Sequence, residues 1–203
     1  LGFKKGDKIV TITNNRPEWN IVDIGMEQMG VIHVPVYPTL GTKGYEYILE
    51  HSDAKMIIIS SEERYGFIKP IAEKVDVIDH IYTFDKIEGA KHIYDLIEAG
   101  KETLDQNTGK LQQYRADVTE NDVCSIIYTS GTTGTPKGVM LTHKNLVTNA
   151  MATLNHVPDD CKKTISFLPI NHVFERGFNH LCIRKGIKVY YATSTDTLVD
   201  EIQ

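Results

Sequence analysis

Short apolar runs rich in β-branched residues recur along the chain, and the segments between them have the length and punctuation of single helices. Lys8-Ile9-Val10-Thr11-Ile12 reads as a strand stopped at Asn14-Asn15, and Pro17 stands where the first turn of a helix tolerates it. That helix is expected to run to about Met29 and to close at Gly30, with Val31 to Val36 as the next strand. Met56-Ile57-Ile58-Ile59 is the clearest buried strand, set between expected helices at Gly44 to His51 and Glu62 to Val75. Val77 to Phe84 and Val123 to Tyr128 read as further strands. Gly138 to Thr142, Thr164 to Leu168 and Ile187 to Tyr191 do likewise, with helices over His143 to Leu154 and Val173 to Arg184. Strands alternating with helices imply an α/β fold of mostly parallel sheets flanked by helices.

One stretch breaks the alternation. From Asp85 to Asn121 the chain is polar, with a single expected helix at Ile93 to Glu98. Asp105-Gln106-Asn107-Thr108-Gly109 reads as an exposed connection. A joint placed there divides the chain into a first α/β subdomain, 1–116, and a second α/β segment, 117–203.

Composition excludes several classes of function. A formal net charge of −5 speaks against a nucleic-acid or anionic-membrane surface, since those need a basic patch, so any anion site must be local. The 3 cysteines, Cys124, Cys161 and Cys182, are widely spaced and form no Cys-x-x-Cys pair, which suits a reducing compartment. No apolar run reaches the roughly 18 residues of a membrane helix. A cytoplasmic setting is expected, with contact at a membrane surface at most. The histidines form no His-Glu-x-x-His set, which speaks against zinc.

Tyr128-Thr-Ser-Gly-Thr-Thr-Gly-Thr-Pro-Lys-Gly-Val139 concentrates phosphate-binding chemistry: glycines for close backbone approach, hydroxyl donors, and the charge of Lys137. Spacing rejects the better-known loops. The Walker pattern needs Gly-Lys-Ser/Thr five residues after its first glycine, where this chain has Pro136, and Lys137 is followed by Gly138. Glycines at 131, 134 and 138 do not fit Gly-x-Gly-x-x-Gly, and Tyr128 stands where a hydrolase elbow needs glycine. A Gly-Thr-Thr-Gly alone is accounted for by a turn joining two strands.

The whole of Tyr128 to Val139 resembles the signature loop of the adenylate-forming superfamily, which includes acyl-CoA synthetases, luciferases and peptide-synthetase adenylation domains. Phe167-Leu168-Pro169-Ile170-Asn171-His172-Val173-Phe174-Glu175-Arg176 is similar to the Leu-Pro-x-x-His-x-Phe-Glu-Arg stretch of long-chain fatty acyl-CoA synthetases. Gly6-Asp7-Lys8-Ile9, Asn15-Arg16-Pro17-Glu18-Trp19 and Val34-Pro35-Val36-Tyr37-Pro38 also look like that group. The resemblance therefore touches the whole chain.

That resemblance implies part of the large N-terminal domain of an enzyme that activates a fatty acid with ATP to an acyl-adenylate and passes the acyl group to CoA. The implied ATP-binding residues are Thr129, Ser130, Gly131, Thr132, Thr133, Gly134, Thr135 and Lys137. Ser130 to Thr133 and Lys137 would hold the β- and γ-phosphates, and Thr129 would touch Mg²⁺. Lys137 and His172 are the implied catalytic residues, His172 at the junction of the acyl and nucleotide sites. His172 also admits a local reading as a helix-start cap. Glu175 and Arg176 read first as a solvated pair on the opening turn of a helix, and Trp19 as packing. The family's Tyr-Gly-x-Thr-Glu segment, ribose aspartate and C-terminal lysine domain do not occur in these residues. The expectation is an amino-terminal fragment with little ligase activity of its own. Two alternatives stay open: a noncatalytic nucleotide-binding or interaction module, and a ligase for another carboxylic acid.

Overall fold

In the computed structural model, which describes residues 1–130, 135–154, 156–192 and 198–199, strand β1 (Lys8–Ile12) leads through helix α1 (Pro17–Met29) to the parallel strand β2 (Ile32–Val36). Pro17 sits at the start of α1, where its missing N–H is not needed. Gly30 ends the helix at φ 68°, in the left-handed region that glycine enters without a side-chain clash. Helix α2 (Thr42–Ser52), strand β3 (Met56–Ile59), helix α3 (Glu62–Ala72) and strands β4 (His80–Thr83) and β5 (Lys91–His92) follow. Then come helices α4 (Ile93–Glu102) and α5 (Leu104–Asp117), and strands β6 (Val123–Thr129) and β7 (Lys137–Thr142).

These strands make one sheet in the order β5-β4-β3-β1-β2-β6-β7, parallel throughout except for β7, which runs antiparallel to β6. The expected division at residues 116 and 117 falls at the end of α5, and β6 beyond it continues the same sheet. Helix α6 (His143–Leu154), strand β8 (Lys163–Ser166), helix α7 (Val173–Lys185) and strand β9 (Lys188–Tyr191) complete the described elements, with β8 and β9 paired in a separate parallel sheet.

The strand period of two explains why both faces of the sheet need helices. Val10, Ile12, Ile57 and Ile59 pack with Tyr45, Ile48 and Leu49 of α2 and Ile68 and Ile71 of α3. Ile9, Met56 and Ile58 point the other way, against Met26 of α1 and Ile93 of α4. Each such aliphatic side chain contributes about 1.5–3 kcal/mol on full burial, so the central strands carry much of the stability.

The expected connection at Asp105 to Gly109 is instead part of α5. The sequence pattern hides this helix because none of its residues is buried, so it has no apolar stripe to read. Its turns are reinforced by side chains returning to the backbone: Asn107 Nδ2 donates to Thr103 O at 2.9 Å and Thr108 Oγ1 to Leu104 O at 2.9 Å. Arg115 joins it to Gln28 of α1.

Candidate active site

The candidate phosphate loop hangs from a β-hairpin. Strand β6 is apolar and largely buried up to Ile127, while Thr129, Ser130, Thr135 and Lys137 are exposed at the open end. Thr129 pairs directly with Lys137 across the hairpin, so the hydroxyl and the ammonium leave the strands side by side on one face. Gly131, Thr132, Thr133 and Gly134 lie outside the described residues. Ser130, Tyr128 and Pro136 border a cavity of about 280 Å³ that also touches Tyr37, Leu40 and Ile48.

Two contacts shape the base of this hairpin. The Tyr128 hydroxyl shares a hydrogen bond of 2.8 Å with His51 Nδ1 from α2, and Tyr47 meets the Tyr128 ring edge-on at a centroid distance of 6.4 Å. Burial pushes the Tyr128 phenol up to about 12, so it stays protonated. Opposite Tyr128 stands Gly138, where a Cβ would lie 2.8 Å from Ile126 Cγ2 and 3.5 Å from the Tyr128 ring. The β-branched Ile126 has little rotamer freedom to yield. Gly138→Ala should therefore destabilise the protein by about 1–3 kcal/mol, the usual cost of overpacking. A thermal melt checks this, and an unchanged midpoint would show that Ile126 can move aside.

The His172 segment reaches the same edge of the sheet by polar stitching. Asn15, just past β1, donates from Nδ2 to Leu168 O at 2.7 Å and to Ser166 Oγ at 3.1 Å, and accepts from Ile170 N at 2.8 Å. Asn171 Nδ2 donates to Thr13 O at 3.1 Å. Residues 166–171 are thereby pinned to the carboxyl end of β1. Strand β6 is parallel to β2, and β2 to β1, so the candidate phosphate hairpin also opens at a carboxyl end. Ligands of open parallel sheets bind at that edge. His172 is exposed at the N-cap of α7, where its Nδ1 accepts from Phe174 N at 3.3 Å. The local capping geometry is thus present, and Nε2 is left facing away from the cap.

Glu175 and Arg176 overturn the expectation of a solvated pair, being only 3% and 1% exposed. Arg176 Nε and Nη2 donate to the two oxygens of the buried Asp23 on α1, at 2.9 and 2.7 Å, and Nη2 also reaches Glu27 Oε1 at 3.1 Å. Asp23 further accepts from the rings of His33, at 2.6 Å, and His180, at 3.2 Å. Such bidentate, charge-assisted bonds are what make a buried guanidinium tolerable. Glu175 Oε1 accepts from Asn179 Nδ2 at 3.3 Å, and its carboxyl is shifted upward by burial.

Burial pushes the Asp23 carboxyl up, but the Arg176 and His33 groups outweigh this and hold it well below the usual carboxylate range. For His33 burial wins and lowers its pKa. For His180 burial is outweighed by the Asp23 hydrogen bond and the Glu27 charge, and its pKa is raised. Asp23, Glu27 and His180 lie close enough to share a cation. The guanidinium of Arg176 already donates to both carboxylates, and His180 Nε2 faces them at 3.2 and 3.7 Å, so their oxygens are already engaged by cationic or hydrogen-bonding partners. Sequence reasoning missed Asp23, His33 and His180. A signal was available: Asp23 and Glu27 on α1, and Arg176 and His180 on α7, are each spaced i,i+4, one acidic and one basic ladder.

Comparison with known proteins gives the family and the fold. The family model described as AMP-binding enzyme matches residues 1–203. Over its whole length the chain is similar to fatty acyl-CoA synthetase A of Dictyostelium discoideum, at 30% identity, and to long-chain-fatty-acid–CoA ligase 1 of Homo sapiens, at 29%. It spans 31% of the length of each of these curated relatives. Among solved structures, a long-chain-fatty-acid–CoA ligase from Archaeoglobus fulgidus has the same fold, with a TM-score of 0.73 at 22% identity, covering 99% of this chain and 38% of that one.

Proposed function

The chain belongs to the AMP-binding enzyme family, and from that membership we propose that it forms the phosphate-binding part of a longer ligase, one that activates a long-chain fatty acid with ATP and transfers the acyl group to CoA. The observation that carries this reading is the shared carboxyl edge: the hairpin bearing Thr129 and Lys137 and the segment bearing His172 open on the same side of one parallel sheet. Adenylation asks a protein mainly to hold a carboxylate in line with the α-phosphate and to neutralise phosphate charge. Lys137 supplies a mobile positive charge, Ser130 and Thr135 supply exposed hydroxyl donors, and Gly131 to Gly134 complete the loop by resemblance to the family.

Mg²⁺ keeps several waters and takes few protein ligands, so the exposed Thr129 hydroxyl at the end of β6 fits it as a single contact. The bound ion would supply neutralisation of the phosphate charge. His172, with Nδ1 turned to its own helix, would present Nε2 at the acyl side of the site. No helix among the described residues is long and apolar enough to cross a membrane. A cytoplasmic parent, with contact at a membrane surface at most, is part of this proposal.

ATP–pyrophosphate exchange by the full-length protein tests the reading, using acetate, an aryl acid, and fatty acids of medium and long chain. Exchange should be greatest with long chains, and CoA should then release acyl-CoA. Preference for acetate or the aryl acid would move the protein to another ligase class, and no exchange with any acid would favour a noncatalytic binding module.

A further inference from the structure

A single chain of bonds joins the two halves of the candidate site. Arg176 N donates to His172 O at 3.1 Å, one turn along α7 from the N-cap. The Arg176 side chain then clamps both oxygens of Asp23, whose Oδ1 also meets His33 Nδ1 at 2.6 Å. His33 has no other orientation open to it, because Thr11 Oγ1 holds its Nε2 at 2.7 Å and Trp19 Nε1 donates to the same Thr11 oxygen at 3.1 Å. On the far side, the backbone oxygen of His33 accepts from Ser125 Oγ at 2.9 Å, and Ser125 lies in β6, four residues before Thr129. Asp23, His33, Thr11, Trp19 and Ser125 are each fully buried, and Arg176 is 1% exposed.

A buried ion pair is a poor source of net stability, because desolvation offsets most of its attraction. What a planar guanidinium on a carboxylate does supply is a fixed relative orientation of the elements that carry them. Here those elements are α7, which presents His172, and α1, which is bonded through His33 to the strand pair bearing the phosphate hairpin. We propose that Arg176 and Asp23 are positioning residues for adenylation, setting the His172 end of α7 in register with the Thr129–Lys137 hairpin. This rests on the ligase reading above.

The test uses the full-length protein with Asp23→Leu and Arg176→Met combined, an apolar replacement of similar shape that removes both charges of the clamp together and leaves Glu27 with His180 as its remaining close partner. The double variant should stay folded and lose less stability than Asp23→Ala, since no guanidinium is left stranded although His33 Nδ1 gives up its partner. Its fatty-acid-dependent exchange should nevertheless fall about tenfold in kcat, with the KM for ATP changed by less than about twofold, as expected for misplacement of a reacting group. Amide exchange over residues 173–178 should accelerate, and that readout does not depend on the ligase reading.

Arg176→Lys is the second variant; it keeps the charge but loses the fork, and should show a smaller loss of the same kind. A folded double variant with wild-type kcat and unchanged amide protection would overturn the proposal. Failure of both variants to fold would assign the pair to stability alone and overturn it equally. If the wild-type protein exchanges with no acid, the ligase reading fails on its own, and the amide-exchange comparison still decides whether the pair fixes α7.

Discussion

Asp23→Ala in the full-length protein should lower stability by about 3–5 kcal/mol, the range seen when one partner of a buried ion pair is removed. The size follows from what would be left behind. Arg176 would lose its two short bonds to Asp23, at 2.7 and 2.9 Å, and keep only the one to Glu27 at 3.1 Å. Its Nη1 has no partner among the described residues even in the intact protein, so none of them offers a spare hydrogen bond to take up the loss. His33 would be left with a buried Nδ1 and nothing to meet it. Urea denaturation measures the effect, and a loss under about 1 kcal/mol would mean that water or a rearranged Glu27 satisfies the guanidinium.

The pH dependence of this variant has a definite sign. His180 has a raised folded pKa in the wild type, so its contribution is fully present below the unfolded value of about 6.5 and fades as pH rises through the folded value. His33 has a lowered folded pKa because burial outweighs Asp23, so it loses stability as pH falls below about 6.5, less steeply than it would without Asp23. Removing Asp23 takes away an upward influence on both histidines, lowering His33 further and His180 from its raised value, and both changes disfavour the folded state at acid pH. The difference between wild type and Asp23→Ala should therefore be larger at pH 6 than at pH 8, and the reverse order would show that the histidines do not report to Asp23.

The parallel sheet was legible in the sequence because its strands are buried on both faces and so appear as unbroken apolar runs. Met56 to Ile59 is the plainest case, and its residues divide evenly between the two cores. Helix α5 was illegible for the opposite reason: it lies on the surface with no buried residue, so neither period nor composition distinguishes it from a loop. The hairpin proposed to hold phosphate could be singled out because its glycines, hydroxyls and lysine lie close together in sequence, as binding of one anion would require. The charged cluster could not. Its members come from α1, β2 and α7, and only the fold shows that the arginine following Phe174-Glu175 turns inward to a carboxylate some 150 positions earlier, a separation of |i−j| = 153. A local rule, that acidic and basic residues on an opening helical turn face water, was overridden by that long-range partner. Asn15 shows the same limit on a smaller scale, since its sequence context announces only the end of a strand, whereas in the fold it holds the loop before His172.

Lys137→Ala should slow fatty-acid-dependent ATP–pyrophosphate exchange by the full-length protein roughly tenfold to a hundredfold, because a charge-assisted contact to phosphate is worth about 1.5–3 kcal/mol. Position makes this substitution unusually clean. The Lys137 side chain is exposed at the mouth of the hairpin opposite Thr129, and the strand pairing at that point is carried by backbone groups that alanine retains. Stability should then change by no more than about 0.5 kcal/mol, as for other exposed positions, so a rate loss cannot be attributed to unfolding. The chain as a whole is acidic, with a formal charge of −5, which makes a local cation at the phosphate site matter more for holding ATP in place. Raising salt should weaken the wild type more than the variant, since screening acts on the charge that the variant has already lost. Lys137→Arg keeps the charge but replaces a point ammonium with a broad fork, and should recover part of the rate. Exchange by Lys137→Ala at the wild-type rate would remove Lys137 from the mechanism and leave the hydroxyls and the backbone N–H groups of the loop to hold the phosphates.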